Sequence, residues 1–386
     1  MEGALVKILI ITNMPAPHQV NLFDALGSLE GVGLTVVYTR RMSAGRHWDP
    51  PDQLRHDNIF LPEVRLKGHW YLNQHISRLL QLIRNADLVI VGQYASLSMQ
   101  IAMYYCSLIG KPWIFWSEAV SGVEYNERPL LRSEFLRRWF RKPALLPVRH
   151  WPVAYWAVGE KAKRSFAAEL PRSKNHCVVY PYYSDLSDFF SIQRTGFPGK
   201  QMVFLFSGSL IYRKGFDLVV DAVKVLDADG YSNFKLLVIG VGRQRDLVED
   251  KYEKYFDFRG FVKGDELIQC YKNAEVCLCP SRYDGWGMSL VEALAAGLPV
   301  ISTHHSGAAI EILRNGINGW FLWELTGMDL AAAMKSCLDH PTLIEEMVIE
   351  CRRSAESYQV PNGVDKFIGY VNSIGLNKLF YAHSSD

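Results

Sequence analysis

Asp284 and Glu292 bracket the run DGWGMSLVE, in which small, turn-prone residues pass into a helical pattern that opens at Ser289 and stops at Gly297, with Pro299 beyond. The N-terminus of such a helix presents unpaired N–H groups and a partial positive charge of about half a unit, a setting for phosphate. Gly285 and Gly287 let the backbone approach a ligand with no Cβ in the way. Glu292, about one turn in, is oriented to accept hydrogen bonds from vicinal hydroxyls such as those of a ribose. Asp284, on the loop, is placed to accept from sugar hydroxyls on the other side of the phosphates. Each acid alone has a simpler reading: Glu292 balances the helix dipole, and Asp284 is a turn residue. Upstream, FSGSLIYRKGFDLVV holds Arg213 and Lys214 between Gly208 and Gly215, just after an apolar run. Two adjacent cations there suit a diphosphate, each charge-assisted hydrogen bond contributing roughly 1.5–3 kcal/mol. Taken alone, a solvated basic turn accounts for them equally well. The simpler readings do not account for both acids, the glycines and the cationic loop in one domain.

Short apolar runs that end in small or polar residues read as the strands that carry these loops. In the first half they are 6–12 (VKILIIT), 34–39, 87–92, 112–117 and 155–159, with helical patterns between many of them. Strand then helix, repeated, is the signature of a parallel sheet covered on both faces. The alternation restarts at 202–208 (MVFLFSG) and continues through 234–240, 255–261, 275–280, 298–303 and 319–323. The polar stretch SIQRTGFPGK (191–200), broken by Gly and Pro, reads as the linker. The sequence thus predicts an N-terminal Rossmann-like domain over 1–195, a C-terminal one over 196–360, and a closing helical segment over 361–386. Ligands of open α/β sheets bind at the carboxyl ends of the strands.

The sequence resembles the retaining GT-B glycosyltransferases of glycosyltransferase family 4. The resemblance rests on L-x-x-R-K-G at Leu210 to Gly215, on the acid-x7-acid motif from Asp284 to Glu292, and on GLPVIST…GAAIEIL…GINGW from Gly297 to Trp320. It implies an α/β architecture of two Rossmann-like parallel-sheet domains facing across a cleft, with the last helix crossing back to the first domain. It implies that Lys214, with Arg213, binds the donor diphosphate, that Asp284 contacts the donor sugar, and that Glu292 contacts the ribose. The backbone of Gly285, Trp286, Gly287, Met288 and Ser289 then lines the phosphate and sugar, and Arg259, Phe261 and Val262 flank the base. Two positions depart from the family. Asp284 stands where Glu is usual, and Ser209 stands where many members have Arg, leaving Arg213 as the second cation. The implied reaction takes a sugar from a UDP- or GDP-linked donor and needs no metal and no cofactor beyond that co-substrate. It proceeds by front-face attack, with the leaving phosphate taking the acceptor proton while Lys214 and the helix N-terminus stabilise its charge.

In the first half, the loop after the first strand offers Asn13 and His18, GQYAS offers Gln93 and Tyr94, and WSEAVSG offers Glu118, an acid directly after an aromatic strand. Asn13, His18, Gln93, Tyr94 and Glu118 are the acceptor-side candidates, and Glu118 joins Lys214, Arg213 and Asp284 as a catalytic candidate. For Asn13 and His18 an ordinary loop role serves as well. The block 128–151 interleaves Arg132, Arg137, Arg138, Arg141 and Lys142 with Leu131, Phe135, Leu136, Trp139 and Phe140. That pattern suits an interfacial helix on anionic lipid, and equally an amphipathic helix packed on the core. The lipid reading, with the resemblance, points to a saccharide acceptor, lipid-linked in envelope polysaccharide or glycolipid synthesis, and to a peripheral site on the inner face of the membrane. Two other functions keep the fold: a sugar-nucleotide 2-epimerase, and a nucleotide-sugar-binding paralogue that has lost transfer, the latter motivated by Ser209 and Asp284.

Composition sets the outer bounds. Of 386 residues 49% are hydrophobic and 21% charged, enough for two large cores. The net charge of +2 gives no general affinity for nucleic acid. Seven cysteines with no C-x-x-C pair fit a reducing compartment. Lys7 interrupts the N-terminal apolar run, so it does not read as a signal peptide, and a cytoplasmic location is expected. Cys277 and Cys279 read as one face of a buried strand. GVGRQR (240–245) reads as a tight turn, the Asp227–Asp229 pair as a solvated helix end, and His304–His305 as polar loop residues.

Overall fold

The computed structural model describes residues 5–42, 54–65, 71–94, 96–120, 134–194 and 201–375. They form two compact units. The first takes the residues up to Ser184 together with those from Val360 onward, and the second takes Asp185–Gln359.

The first unit runs β1 (Val6–Thr12), α1 (Pro17–Gly27), β2 (Val32–Tyr38), β3 (Asp57–Phe60), β4 (Glu63–Arg65), β5 (Tyr71–Asn73), α2 (Ile76–Asn85), β6 (Leu88–Gly92), α3 (Leu97–Leu108), β7 (Trp113–Ser117), α4 (Glu134–His150), β8 (Ala154–Ala157), α5 (Gly159–Glu169), α6 (Ser173–His176) and β9 (Cys177–Val179). Seven strands pair in the order β3-β2-β1-β6-β7-β8-β9, all parallel. β4 and β5 form a separate antiparallel pair. The central strands are buried end to end, as continuous β-branched and aromatic runs require when helices cover both faces. The strand order reverses between β1 and β6. At such a switch point the helices leave on opposite faces and a crevice opens at the carboxyl ends.

The second unit runs α7 (Ser187–Ser191), β10 (Met202–Ser207), α8 (Phe216–Ala228), β11 (Phe234–Ile239), β12 (Phe256–Gly260), α9 (Asp265–Lys272), β13 (Val276–Cys279), α10 (Met288–Ala295), β14 (Val300–Thr303), α11 (Gly307–Ile312), β15 (Gly319–Leu322), α12 (Gly327–Asp339) and α13 (Pro341–Glu356). Its six parallel strands pair in the order β12-β11-β10-β13-β14-β15, so the switch point lies between β10 and β13. Phe204, Leu236, Val238, Val276 and Leu278 face the helical layer that holds Phe216, Val219, Val220 and Leu330.

The chain then returns to the first unit as α14 (Val360–Ser373). There Tyr180 Oη donates to the Gly363 carbonyl at 2.9 Å, and Phe367 packs edge-on to Trp156 at 5.3 Å. The boundary between units at Ser184 falls before the linker read from the sequence at 191–200. Arg194 explains the difference. Its guanidinium donates to the carbonyls of Tyr271, Ala274 and Ala296, where α9 and α10 end and carbonyls lack helical partners, so the segment that bears it packs into the second unit. Residues 195–200 lie outside the described residues.

Candidate active site

β10 ends at Ser207 and leads through Gly208 and Ser209 into a single 3₁₀ turn, Tyr212–Lys214. Gly215 then takes φ 75°, and a Cβ there would stand 2.1 Å from the Pro280 carbonyl oxygen. Only glycine lets the cationic turn lie against the segment leaving β13. The two segments are cross-linked. The Arg213 carbonyl accepts from the Arg282 amide at 2.9 Å, and Arg213 Nη1 donates to the Tyr283 carbonyl at 2.9 Å. Arg282 itself, buried, holds both Asp217 oxygens at 2.8 and 2.7 Å and the Tyr212 carbonyl at 2.7 Å. That bidentate pair fixes the start of α8 to the loop, and losing one member would cost about 3–5 kcal/mol. The sequence reading did not single out Arg282. Its partners lie far away in sequence, and no local pattern points to it.

The cations therefore divide the work: Arg213 braces the neighbouring loop, and Lys214 reaches the open side. Lys214 Nζ lies 2.5 Å from Asp284 Oδ2, with both side chains mostly buried. One cavity is lined by Ser207, Lys214, Cys279, Asp284, Gly287 and Ser289, among others. It sits at the carboxyl ends of β10 and β13, the switch point of the sheet. Gly287 takes φ 104° just before α10, so the chain turns sharply and the helix N-terminus with Ser289 opens on the cavity. Glu292 follows on α10 and accepts from Tyr271 Oη at 2.8 Å. Burial raises its carboxyl above the ordinary range, while the Tyr271 hydroxyl and the Lys214 charge pull the other way. Tyr271, fully buried on α9, is a partner the sequence reading missed.

Some expected donor-side residues stand elsewhere. The Trp286 side chain turns away from the cavity. It is 1% exposed and packs on Tyr358 at 5.5 Å, while the Trp286 carbonyl accepts from Ser306 Oγ and the Ala308 amide. The ring anchors the loop from behind and does not line the cavity. Gly285 is likewise buried, while Met288 and Ser209 are half-buried. Arg259, Phe261 and Val262 lie at the end of the edge strand β12, outside the cavity lining. Arg259 pairs with Asp257 at 2.7 Å, Phe261 is 42% exposed, and Val262 is buried.

The first unit has its own pocket, about 70 Å³, lined by Asn13, His18, Gln93, Glu118, Trp116 and Tyr182 among others. It too sits at a switch point, where β1 and β6 end. Tyr182 Oη donates to Glu118 Oε1 at 3.1 Å and the His18 ring packs 4.7 Å from the Tyr182 ring. Gln93 holds φ 75°, a left-handed conformation costly for a side chain of this kind, while its amide donates to the Trp116 carbonyl at 2.9 Å. Tyr94 is a correction. Its hydroxyl donates to the Val120 carbonyl and its ring packs against the core, outside the pocket lining.

In the basic block, 128–133 and the side chains of 134–141 lie outside the described residues, Arg132, Arg137, Arg138 and Arg141 among them. Among the described residues no helix is long and apolar enough to cross a membrane, and no three His, Cys, Asp or Glu side chains cluster as metal ligands do. The other sequence features have local uses. GVGRQR runs into a 3₁₀ turn whose Gln244 amide donates to the Leu210 carbonyl, bracing the cationic loop. Asp227 accepts from Tyr255 Oη, and Asp229 pairs with Lys335. His304 stacks on Phe321 at 4.0 Å.

Comparison with known proteins locates this architecture. The family model described as Glycosyl transferases group 1 matches residues 187–356, within the second unit. An uncharacterized glycosyltransferase of Methanocaldococcus jannaschii is 35% identical over 134 residues, 33% of each chain. The putative colanic acid biosynthesis glycosyltransferase WcaL of Salmonella typhimurium is 32% identical over 168 residues, 40% of this chain and 41% of that one. The chain thus spans well under half the length of these relatives. Among solved structures, Anabaena HepE in complex with UDP superposes with a TM-score of 0.74 at 13% identity, covering 95% of this chain and 100% of that one. WaaG, a glycosyltransferase involved in lipopolysaccharide biosynthesis, gives 0.67 at 16% identity, covering 95% and 100%. The chain has the GT-B fold, and its second unit carries a glycosyl transferases group 1 domain.

Proposed function

We propose that the chain is a retaining glycosyltransferase of family 4, which moves a sugar from a nucleoside-diphosphate sugar to a saccharide hydroxyl. The observation that carries this reading is the convergence of Lys214, Asp284, Ser289 and the α10 N-terminus on one cavity, with Glu292 further along the same helix. A diphosphate entering there takes the Lys214 ammonium from Asp284, which frees that carboxylate for sugar hydroxyls. Glu292 receives the ribose, with Tyr271 holding its second oxygen. The bond from the anomeric carbon to the diphosphate breaks as the acceptor oxygen bonds to the same face, and the acceptor proton passes to the departing phosphate. Lys214 and the helix N-terminus stabilise the charge that grows there, so the reaction proceeds without a metal. Arg259 and Phe261 flank the base. In the first unit, Asn13, His18, Gln93 and Glu118 take the acceptor.

The name of WcaL supports an acceptor in envelope polysaccharide synthesis, and UDP bound to HepE supports a uridine donor. The basic block 128–151 supports peripheral contact with the inner face of the cell membrane, where lipid-linked saccharides are built. The test is incubation of the purified chain with UDP- and GDP-sugars, with and without saccharide acceptors. Transfer with the anomeric configuration kept, read by NMR, is the expected result. Inversion removes the retaining mechanism. Epimerised donor, or binding without turnover, assigns the chain to one of the two other functions.

A further inference from the structure

The segment that opens the second unit, Asp185–Arg194, packs against the two helices that carry Tyr271 and Glu292. Within it α7 sets Phe189, 8% exposed, edge-on to the Tyr271 ring at 5.0 Å. Arg194 follows. Its Nη2 donates to the Tyr271 carbonyl at 2.7 Å, its Nη1 to the Ala274 carbonyl at 2.5 Å, and its Nε to the Ala296 carbonyl at 2.8 Å. Tyr271 stands in the last turn of α9, and Ala296 caps α10 one turn after Glu292. One planar guanidinium thus spans the C-terminal ends of both helices, and its rigid fork sets their spacing. The hydrogen bond from Tyr271 Oη to Glu292 Oε2, 2.8 Å long, bridges the same two helices. Such a bond weakens steeply as donor and acceptor drift apart, so it depends on that spacing.

We infer that Arg194 and Phe189 are positioning residues for Glu292 and act through Tyr271. The inference rests on the donor reading above, in which Glu292 receives the ribose. Burial biases Glu292 toward its neutral acid, and the Tyr271 hydroxyl and the Lys214 ammonium oppose that bias. The Tyr271 bond also fixes the carboxylate in one orientation and leaves its remaining lone pairs to the ribose. A shift of α9 against α10 displaces the tyrosine hydroxyl. Glu292 then rotates or takes a proton, and either change loses the vicinal hydroxyls while the diphosphate keeps Lys214. Lysine does not replace Arg194, because its ammonium is a point charge on a flexible stem, with no fork to span the two helix ends.

The test measures Kd by calorimetry on the whole chain for UDP and GDP and for their 2′,3′-dideoxy counterparts. The readout is the preference for the ribonucleotide, the ratio of the two Kd values. A general loss of stability weakens both nucleotides alike and leaves that ratio in place. Tyr271→Phe is expected to lower the ratio about tenfold, the scale of one hydrogen bond to a charged group. Arg194→Lys and Phe189→Leu each lower it about threefold or more, a partial loss of the same bond. Combining Arg194→Lys with Tyr271→Phe lowers it no further than Tyr271→Phe alone, because the two changes share one route. A wild-type ratio in either folded single variant removes that residue from the role. A double variant that loses the product of the two single losses overturns the route through Tyr271. Melting curves check folding, and if Arg194→Lys does not fold, Phe189→Leu with and without Tyr271→Phe decides by the same ratios. A wild-type chain that binds a nucleoside diphosphate without regard to its ribose hydroxyls removes the ribose role of Glu292, and the inference with it. A wild-type chain that binds neither nucleotide removes the donor reading itself. Both of those failures show in the wild type, whereas failure of the positioning role shows only in the variants.

Discussion

Replacing Lys214 by alanine removes the ammonium that lies 2.5 Å from Asp284 and faces the cavity. Two losses follow. The departing phosphate loses a donor aimed at its growing charge, an effect of about 2.7–4 kcal/mol when one such group is deleted, or a hundred- to a thousandfold in kcat. Asp284 also loses its counter-charge and then faces the donor diphosphate as a bare carboxylate. Two unit charges about 4 Å apart repel by about 4 kcal/mol at an effective dielectric of about 20, so KM rises as well. The Lys214→Ala, Asp284→Asn pair separates these effects. If Lys214 serves the transition state, kcat of the double variant stays well below that of Asp284→Asn alone while KM matches it. If its main role is to neutralise Asp284, both parameters match those of Asp284→Asn alone. Lys214→Arg keeps the charge but presents a planar fork, so it restores binding more than turnover. The assay is initial-rate kinetics with the donor sugar identified by incubation with UDP- and GDP-sugars. A Lys214→Ala enzyme with kcat and KM within about threefold of wild type, a difference under about 0.7 kcal/mol, refutes the role assigned to Lys214.

Glu292→Gln weakens the grip on ribose hydroxyls by about 1.5–3 kcal/mol, tenfold or more in donor Kd by calorimetry. The same variant tests the raised pKa. Because burial lifts the folded value above the unfolded value of about 4.3, ionising Glu292 costs folded-state stability, and that cost appears as pH rises through this interval. Urea unfolding between about pH 4 and 7 then shows a flatter pH dependence in Glu292→Gln than in wild type. Gly215→Ala forces a Cβ against the Pro280 carbonyl at φ 75°. The strained backbone alone costs about 1–3 kcal/mol, and the displaced turn carries Lys214 with it, so the melting temperature and donor affinity both fall. Gln93→Gly relieves the left-handed strain and stabilises the chain by up to about 1 kcal/mol after glycine's entropy cost, while kcat/KM for the acceptor drops. A gain in stability with unchanged acceptor kinetics removes Gln93 from the acceptor role.

What the sequence made readable followed from short-range pattern. Lys214, Asp284, Ser289 and Glu292 each sit just after a strand or in the first turns of a helix, and apolar periodicity located both. The central strands came out within a residue or two because burial on both faces leaves an unbroken apolar run. β3 (DNIF), β5 and β9 (CVV) escaped notice because an edge or a short strand needs no such run. Side-chain direction was not readable either. The run DGWGMS places Trp286 among cavity residues, and only the packing of Tyr358 and the Ser306 bond turn its ring inward. Arg282, Tyr271, Arg194 and Tyr182 act through partners distant in sequence, which no local pattern encodes.

The two pockets share a topological origin and differ in charge, and the proposed ligands follow that difference. Both open where neighbouring parallel strands send their helices to opposite faces. The pocket of the second unit gathers an ammonium and a helix N-terminus, and the acids beside it lie within reach of flanking hydroxyls. An anion between two polyols fits that order of charges. The pocket of the first unit offers the carboxylate of Glu118, the Tyr182 hydroxyl, the His18 ring and the Asn13 and Gln93 amides, with no Lys or Arg in its lining among the described residues. A diphosphate placed there would meet Glu118 without a compensating cation, whereas a saccharide hydroxyl finds acceptors and donors already oriented. Introducing a cation, as in Gln93→Lys, would therefore favour anions in that pocket and weaken a neutral acceptor. Phosphate inhibition competitive with acceptor in the variant, and absent from the parent, is the expected signature. An unchanged acceptor KM would take the acceptor from this pocket.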